Sequence, residues 1–240
     1  MDRHTRKELK TDKFAQGVGS GFDFITHHRS EVMRWGLLGL AVIVVVAGVW
    51  AYRSHQATLR DQALAKAMEV DAALVGPPQP PHLTFPTPEA KDKARIAAFS
   101  EVASKYPGTQ EGAIAGLAVA AAQADNGHID DALKTFKDIN NSAPSPYDSV
   151  ARLSMAEIYD SQSKTVEAEK LLRQLIDKPT VFVSKDQATL ELARILAKSN
   201  PAEARKLVAP LSQSPRTTVS RAAVAVLGTI PASPAPAQSN

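Results

Sequence analysis

Apolar residues follow two different regimes along this chain. The first is a continuous run. Trp35 to Tyr52 reads WGLLGLAVIVVVAGVWAY, carries no charge and lies between Arg34 and Arg53. The second is periodic. Three acidic-alanine pairs, Asp131-Ala132, Glu167-Ala168 and Glu203-Ala204, recur at steps of 36 residues. Four residues after each alanine stands a larger apolar side chain (Phe136, Leu172, Val208), and seven after it another (Ile139, Leu175, Leu211). Offsets of four and seven return to one face of an α-helix, so each pair opens an amphipathic helix. Pro144, Pro179 and Pro215 follow in turn, where no helix continues.

A second set of helices repeats between the first. Val119-Ala120, Met155-Ala156 and Leu192-Ala193 recur at steps of 36 and 37 residues. Small residues at these points let two helices of a hairpin approach closely, while the larger neighbours fill the core. Gly127 and Ser163 mark the turns between paired helices. Upstream, Phe99, Val102 and Tyr106-Pro107 read as the second half of a further hairpin, and Ala63 to Leu74 as its first half. Thr217 to Leu227 reads as a terminal capping helix, which a stack of repeats needs because an internal repeat leaves an apolar face open.

The apolar run has the length of a membrane span. Its 18 residues extend about 27 Å as a helix, close to the roughly 30 Å of a hydrocarbon core. Trp35, Trp50 and Tyr52 sit at its two ends, where aromatic rings prefer the interface. A buried core helix rarely carries this framing. A cleaved signal peptide would have a charged region of 34 residues and a bulky Trp50 in its best cleavage pattern, so an uncleaved anchor is the better reading. Seven Lys/Arg (Arg3, Arg6, Lys7, Lys10, Lys13, Arg29, Arg34) precede the span, which favours a cytoplasmic N-terminal tail and an exported C-terminal domain. Close to the span the bias is reversed, with Arg29 and Arg34 on one side and Arg53, Arg60 and Lys66 on the other.

The remaining segments divide the chain further. The tail is residues 1–34; Thr5 and Glu8 fit a capping box for a short helix up to Gln16, Gly17 to Gly21 break it, and Phe22, Phe24 and Ile25 suit a membrane surface. The span is 35–52, and a helix over 53–75 follows, with Leu59, Ala63, Ala67 and Val70 along one stripe. Residues 76–88 hold six prolines and predict a stiff, extended linker. The repeat domain is 89–230, and 231–240 is a Pro/Ala/Ser-rich tail expected to be disordered.

Composition narrows the function classes. Apolar residues are 44% and aromatics only 5%, a mix that suits Ala/Leu helix packing better than a sheet core. There is no cysteine, hence no disulfide, thiolate nucleophile or cysteine metal site. The net charge of +3 carries no clustered cationic face of the kind nucleic acid demands. The six histidines lack the i, i+4 pairing of a zinc-binding helix, and no nucleophile elbow or phosphate loop is present. Gly17 to Gly21 has neither a preceding strand nor the required lysine. Asp130-Asp131 is a favourable helix N-terminal charge. The chain is therefore expected to be no enzyme, to hold no cofactor or metal, and to take neither nucleic acid nor a small-molecule substrate.

The repeat pattern resembles the tetratricopeptide repeat family. The first repeat carries Ala120, Ala132, Phe136 and Pro144; the second Ala156, Tyr159, Ala168, Leu172 and Pro179; the third Ala193, Ala204 and Val208. The resemblance covers roughly 91–228. The family tryptophan early in the first helix is missing, and the period is 36 rather than 34. It implies an all-α architecture: one transmembrane helix, then a TPR-like solenoid of three to four hairpins whose inner face binds proteins. Family geometry places Leu117, Ala121, Leu153, Glu157, Leu190 and Arg194 near that face. Periodicity alone does not separate groove from core at these positions, so the core is the other reading.

Tail, single span, helix and degenerate repeats together resemble the ancillary SecYEG translocon subunit (YfgM-like) family of bacteria. The 34-residue tail and the proline-rich linker depart from it. That resemblance implies an inner-membrane scaffold with a periplasmic repeat domain, and the Sec translocon, periplasmic chaperones or exported clients as partners. A cell-division or cell-wall adaptor of the same architecture is a rival reading, and so is a membrane-linked enzyme regulator of the haem-synthesis type.

Overall fold

The structure, a computed structural model, describes residues 29–231. The expected capping box, glycine hinge and membrane-surface residues of the tail lie outside the described residues, as does the final tail from Ala232. The chain falls into two units, dividing after Thr58.

The first helix, α1, runs Arg29–Asp71. It begins before the expected span at 35 and shows no break at 52, so residues 29–34, the span and residues 53–71 form one helix. No proline interrupts this stretch. In water the β-branched run Val42 to Val46 would weigh against a helix; in hydrocarbon the helix is favoured because it satisfies every backbone group internally. From Met33 to Tyr52 the side chains are exposed, including Trp35, Leu37 and Trp50. A core helix of a soluble protein would be covered, so among the described residues this stretch is long and apolar enough to cross a membrane and is not part of a core.

After α1 the chain does not extend as a stiff spacer. It turns back on itself: β1 (Leu74–Val75) pairs in parallel with β2 (Thr84–Phe85), with Leu74 opposite Thr84. The Leu74 amide donates to the Leu83 carbonyl and the Gly76 amide to that of Phe85, both at 2.9 Å. Pro77, Pro78, Pro80 and Pro81 lie in the excursion between the strands, where a missing N–H costs no ladder bond. The proline content signalled a non-helical segment; it did not reveal that flanking apolar residues would pair.

The second unit is helical from there on: α2 (Pro88–Lys105), α3 (Gln110–Asp125), α4 (Ile129–Ser142), α5 (Tyr147–Ser161), α6 (Thr165–Asp177), α7 (Lys185–Ser199), α8 (Pro201–Ser212) and α9 (Thr217–Thr229). Helices α3/α4, α5/α6 and α7/α8 are the three hairpins, and α9 packs on α7 and α8 as the expected cap. Capping residues set several starts. Thr87, Thr109, Ser184 and Asn200 each accept a backbone amide of the first turn, and Pro88 and Pro201 occupy the first helical position. The turns expected at Gly127 and Ser163 have φ of +80° and +59°. The third turn is a single residue, Asn200, which ends α7 and caps α8.

Burial follows the alanine register. Ala132, Ala168 and Ala204 are fully buried, as are Ala120, Ala156 and Ala193. Phe136, Leu172 and Val208 pack beside them in the two larger core clusters. The half-hairpin at the start keeps most of the expected stripe, with Ala67 buried and Ala63 and Val70 half-buried. Leu64 and Ala67 of α1 are buried against Phe99 and Val102 of α2 and Ala115 and Val119 of α3, whereas Leu59, expected on the stripe, is 38% exposed. Arg60 pairs with Glu111 of α3 at 3.2 Å, and this pair helps fix which face of α1 turns inward.

One glycine is dictated by packing. A Cβ at Gly112, in the first turn of α3, would stand 2.0 Å from the Tyr106 carbonyl oxygen. Tyr106 is held there because the Thr109 hydroxyl donates to that oxygen at 2.8 Å and accepts the Gly112 amide at 3.1 Å.

Urea denaturation of the full chain tests this packing. Leu172→Ala should cost about 2–5 kcal/mol and Gly112→Ala about 1–3 kcal/mol. Val166→Ala, at a position 77% exposed, should stay within about 0.5 kcal/mol of the parent.

Candidate functional site

The six residues expected on the inner face come from the first helix of each hairpin: Leu117 and Ala121 from α3, Leu153 and Glu157 from α5, Leu190 and Arg194 from α7. They separate into two rows. Leu117, Leu153 and Leu190 are half-buried and pack against the core clusters, so they are partly core. Ala121, Glu157 and Arg194, one helical turn further on, are exposed. The two rows differ because a four-residue offset overshoots the 3.6-residue turn and rotates the outer row away from the core.

Between α5 and α7 the structure assembles a charged cluster. The Arg194 guanidinium donates to Glu191 Oε1 through Nε at 3.0 Å and Nη2 at 2.5 Å. The same Nη2 lies 3.2 Å from Asp160 Oδ2 of α5, so one side chain joins the first helices of two successive repeats. Bonding to Glu191 raises the Arg194 pKa further above its ordinary value, against a smaller opposing effect of burial. Glu157 faces the same cluster. Desolvation is the main cause that pushes its pKa above the ordinary carboxylate range; Glu191 adds to the rise and Arg194 offsets part of it. On the second-helix side, Arg173 of α6 reaches Glu169 and Glu203 of α8, each at 2.6 Å.

Glu191 and Asp160 were absent from the expected surface. Their signal was present as acidic residues three positions from Arg194 and Glu157, a spacing that makes them helical neighbours. The spacing does not show that Asp160 would serve the next repeat. Among the described residues no group of three or more His, Asp or Glu stands in an arrangement that could hold a metal ion. The cluster offers directional hydrogen bonding and charge beside an apolar row.

A family model described as a tetratricopeptide repeat-like domain matches residues 33–185. The chain belongs to this family. The match takes in the half-hairpin, the β1–β2 loop and the first two hairpins of this tetratricopeptide repeat-like protein; the third hairpin and the cap lie almost entirely beyond it and rest on the alanine register and the observed fold. No curated protein and no solved structure matches the chain. Family membership makes a protein–protein interaction scaffold the coarse functional assignment, since such domains are typically non-catalytic.

The Glu157 shift has a signed consequence. A carboxyl whose folded pKa is raised binds more protons folded than unfolded, so its ionisation destabilises the fold as pH rises from the ordinary carboxylate range through the raised value. Glu157→Gln should therefore gain stability relative to the parent as pH rises through that window, read from urea melts at several pH values. Arg194→Ala should move the Glu157 titration midpoint higher still, as followed by side-chain NMR; a midpoint that falls would contradict the assigned causes.

Proposed function

We propose that this protein is a membrane-anchored scaffold of the bacterial inner membrane, with the tail cytoplasmic and the repeat domain periplasmic, acting as an ancillary factor in translocation or envelope-protein biogenesis. The observation that carries the reading is an exposed apolar helical stretch of spanning length that precedes the repeat stack along the chain. A repeat domain delivered in this way works on proteins that are themselves at the membrane. The lysine- and arginine-rich tail supports the orientation. On this reading the outer row Ala121, Glu157 and Arg194, backed by the half-buried leucines, receives segments of Sec components, periplasmic chaperones or exported clients.

Two measurements test it. In Ala235→Cys, a maleimide that does not cross the inner membrane should label the cysteine once the outer membrane is opened; labelling only after the inner membrane is broken overturns the orientation. A photo-crosslinking residue at Ala121, used in living cells with mass spectrometry, should capture Sec components, chaperones or exported proteins. Capture dominated by division or wall-synthesis proteins, or by an enzyme of small-molecule metabolism, replaces the biogenesis role with one of the rival readings.

A further inference from the structure

The second helices of the hairpins present cavities that follow the repeat. One, of about 410 Å³, is lined by Ala103 and Ser104 of α2, Gly112 and Gly116 of α3, and Asp138 and Ile139 of α4. Another, of about 770 Å³, is lined by Ile176 of α6, Lys185 and Thr189 of α7, and Leu207, Pro210 and Leu211 of α8. The positions correspond. Gly112 and Lys185, and Gly116 and Thr189, are each 73 residues apart; Ser104 and Ile176, and Asp138 and Pro210, are each 72 apart.

The intervening groove, between α4 and α6, shows what this architecture does with such a space. The residue in register with Gly116 and Thr189 is Arg152, and the one in register with Gly112 is Asp148. Arg152 Nε donates to Asn140 Oδ1 of α4 at 3.1 Å, and Nη2 to Asp148 Oδ2 at 3.3 Å. The side chain is only 18% exposed. An arginine from the chain itself thus occupies the middle groove.

We infer that the cavity between α2 and α4 receives an arginine side chain from a protein partner. Gly116 adds no side chain of its own, and Ile139 lies 3.1 Å from where its Cβ would stand. Ser104 stands at the register position of Asn140 and offers a hydroxyl acceptor there. Asp138 is the only ionisable residue among those lining the cavity, and it is an anion. Ala103 and Ile139 provide apolar walls for the methylene stem, which long cationic side chains bury while their charge meets a polar group. A planar guanidinium satisfies a carboxylate and a hydroxyl at once. The larger cavity is lined differently: Ile176 stands in the acceptor's register, and Lys185 and Lys206 lie beside two carboxylates that already hold arginines of the chain, Asp186 with Arg216 and Glu203 with Arg173. This site is separate from Ala121, Glu157 and Arg194, so it stands or falls independently of the proposed inner-face role.

The test is methyl NMR on the full chain in phospholipid nanodiscs, following Ala103, Thr135 and Ile139. The probes are Nα-acetyl-arginine amide, the uncharged citrulline analogue and the leucine analogue. The arginine probe should shift these methyls saturably, and the citrulline and leucine probes should not. Asp138→Asn, an exposed change, should weaken the arginine response at least about tenfold, because the charged acceptor is lost. No shift at Ile139, equal shifts from citrulline or leucine, or unchanged affinity in Asp138→Asn would each overturn the assignment.

Discussion

Packed helices sit about 8–10 Å apart, and the side chains at the crossing set where in that range a pair falls. In this protein the crossings are made by alanine. Ala120 and Ala132 in the first hairpin, Ala156 and Ala168 in the second, and Ala193 and Ala204 in the third are all fully buried. A methyl group at the crossing lets the backbones close, and closure brings Phe136, Leu172 and Val208 into contact with the neighbouring helix. Everything larger depends on that spacing. Ion pairs such as Arg194 with Asp160 and Arg173 with Glu203 reach from one repeat to the next at 3.2 and 2.6 Å only because the hairpins hold a fixed pitch.

The same constraint explains how the ends differ from the middle. Each repeat in a solenoid contacts only its neighbours, so the terminal ones need a different partner. At the C-terminal end α9 supplies it, and Arg205 Nη2 of α8 holds the end of that cap through the Ile230 carbonyl at 2.8 Å. At the N-terminal end the last turns of α1 play the first-helix role, with Leu64 and Ala67 taking the buried positions. Their partner α2 follows only after the β1–β2 loop, so the sequence separation is larger there than in the later hairpins while the packing logic is kept.

What was readable in the sequence follows from which features obey a single period. The alanine register, the three hairpins, the turns at Gly127 and Ser163 and the cap at Thr217 repeat or punctuate at fixed intervals, and local sequence determines them. Features that depend on two distant segments were not readable. Leu64 is buried beside Ala67 in contact with helices α2 and α3, and Arg60 meets Glu111 across 51 positions. The return of the loop rests on Leu74 finding Leu83 and Thr84. Gly112 is required by a carbonyl that belongs to the preceding helix end. For the candidate surface, the six positions lie on the first helices of the hairpins, but periodicity does not show that the leucine row is half core or that Asp160 and Glu191 join Arg194. The grooves between second helices were not anticipated, although Gly116, Arg152 and Thr189 already stood in register.

The central claim is that small residues at the helix crossings set the pitch of the stack. The direct measurement is the urea stability of full-length Ala168→Leu in detergent, since Ala168 sits at the middle crossing with no exposed surface. The account predicts a loss of at least about 1–3 kcal/mol, the cost of overpacking a filled core. Stability equal to or above that of the parent would show that the crossing has room to spare, and would contradict the claim.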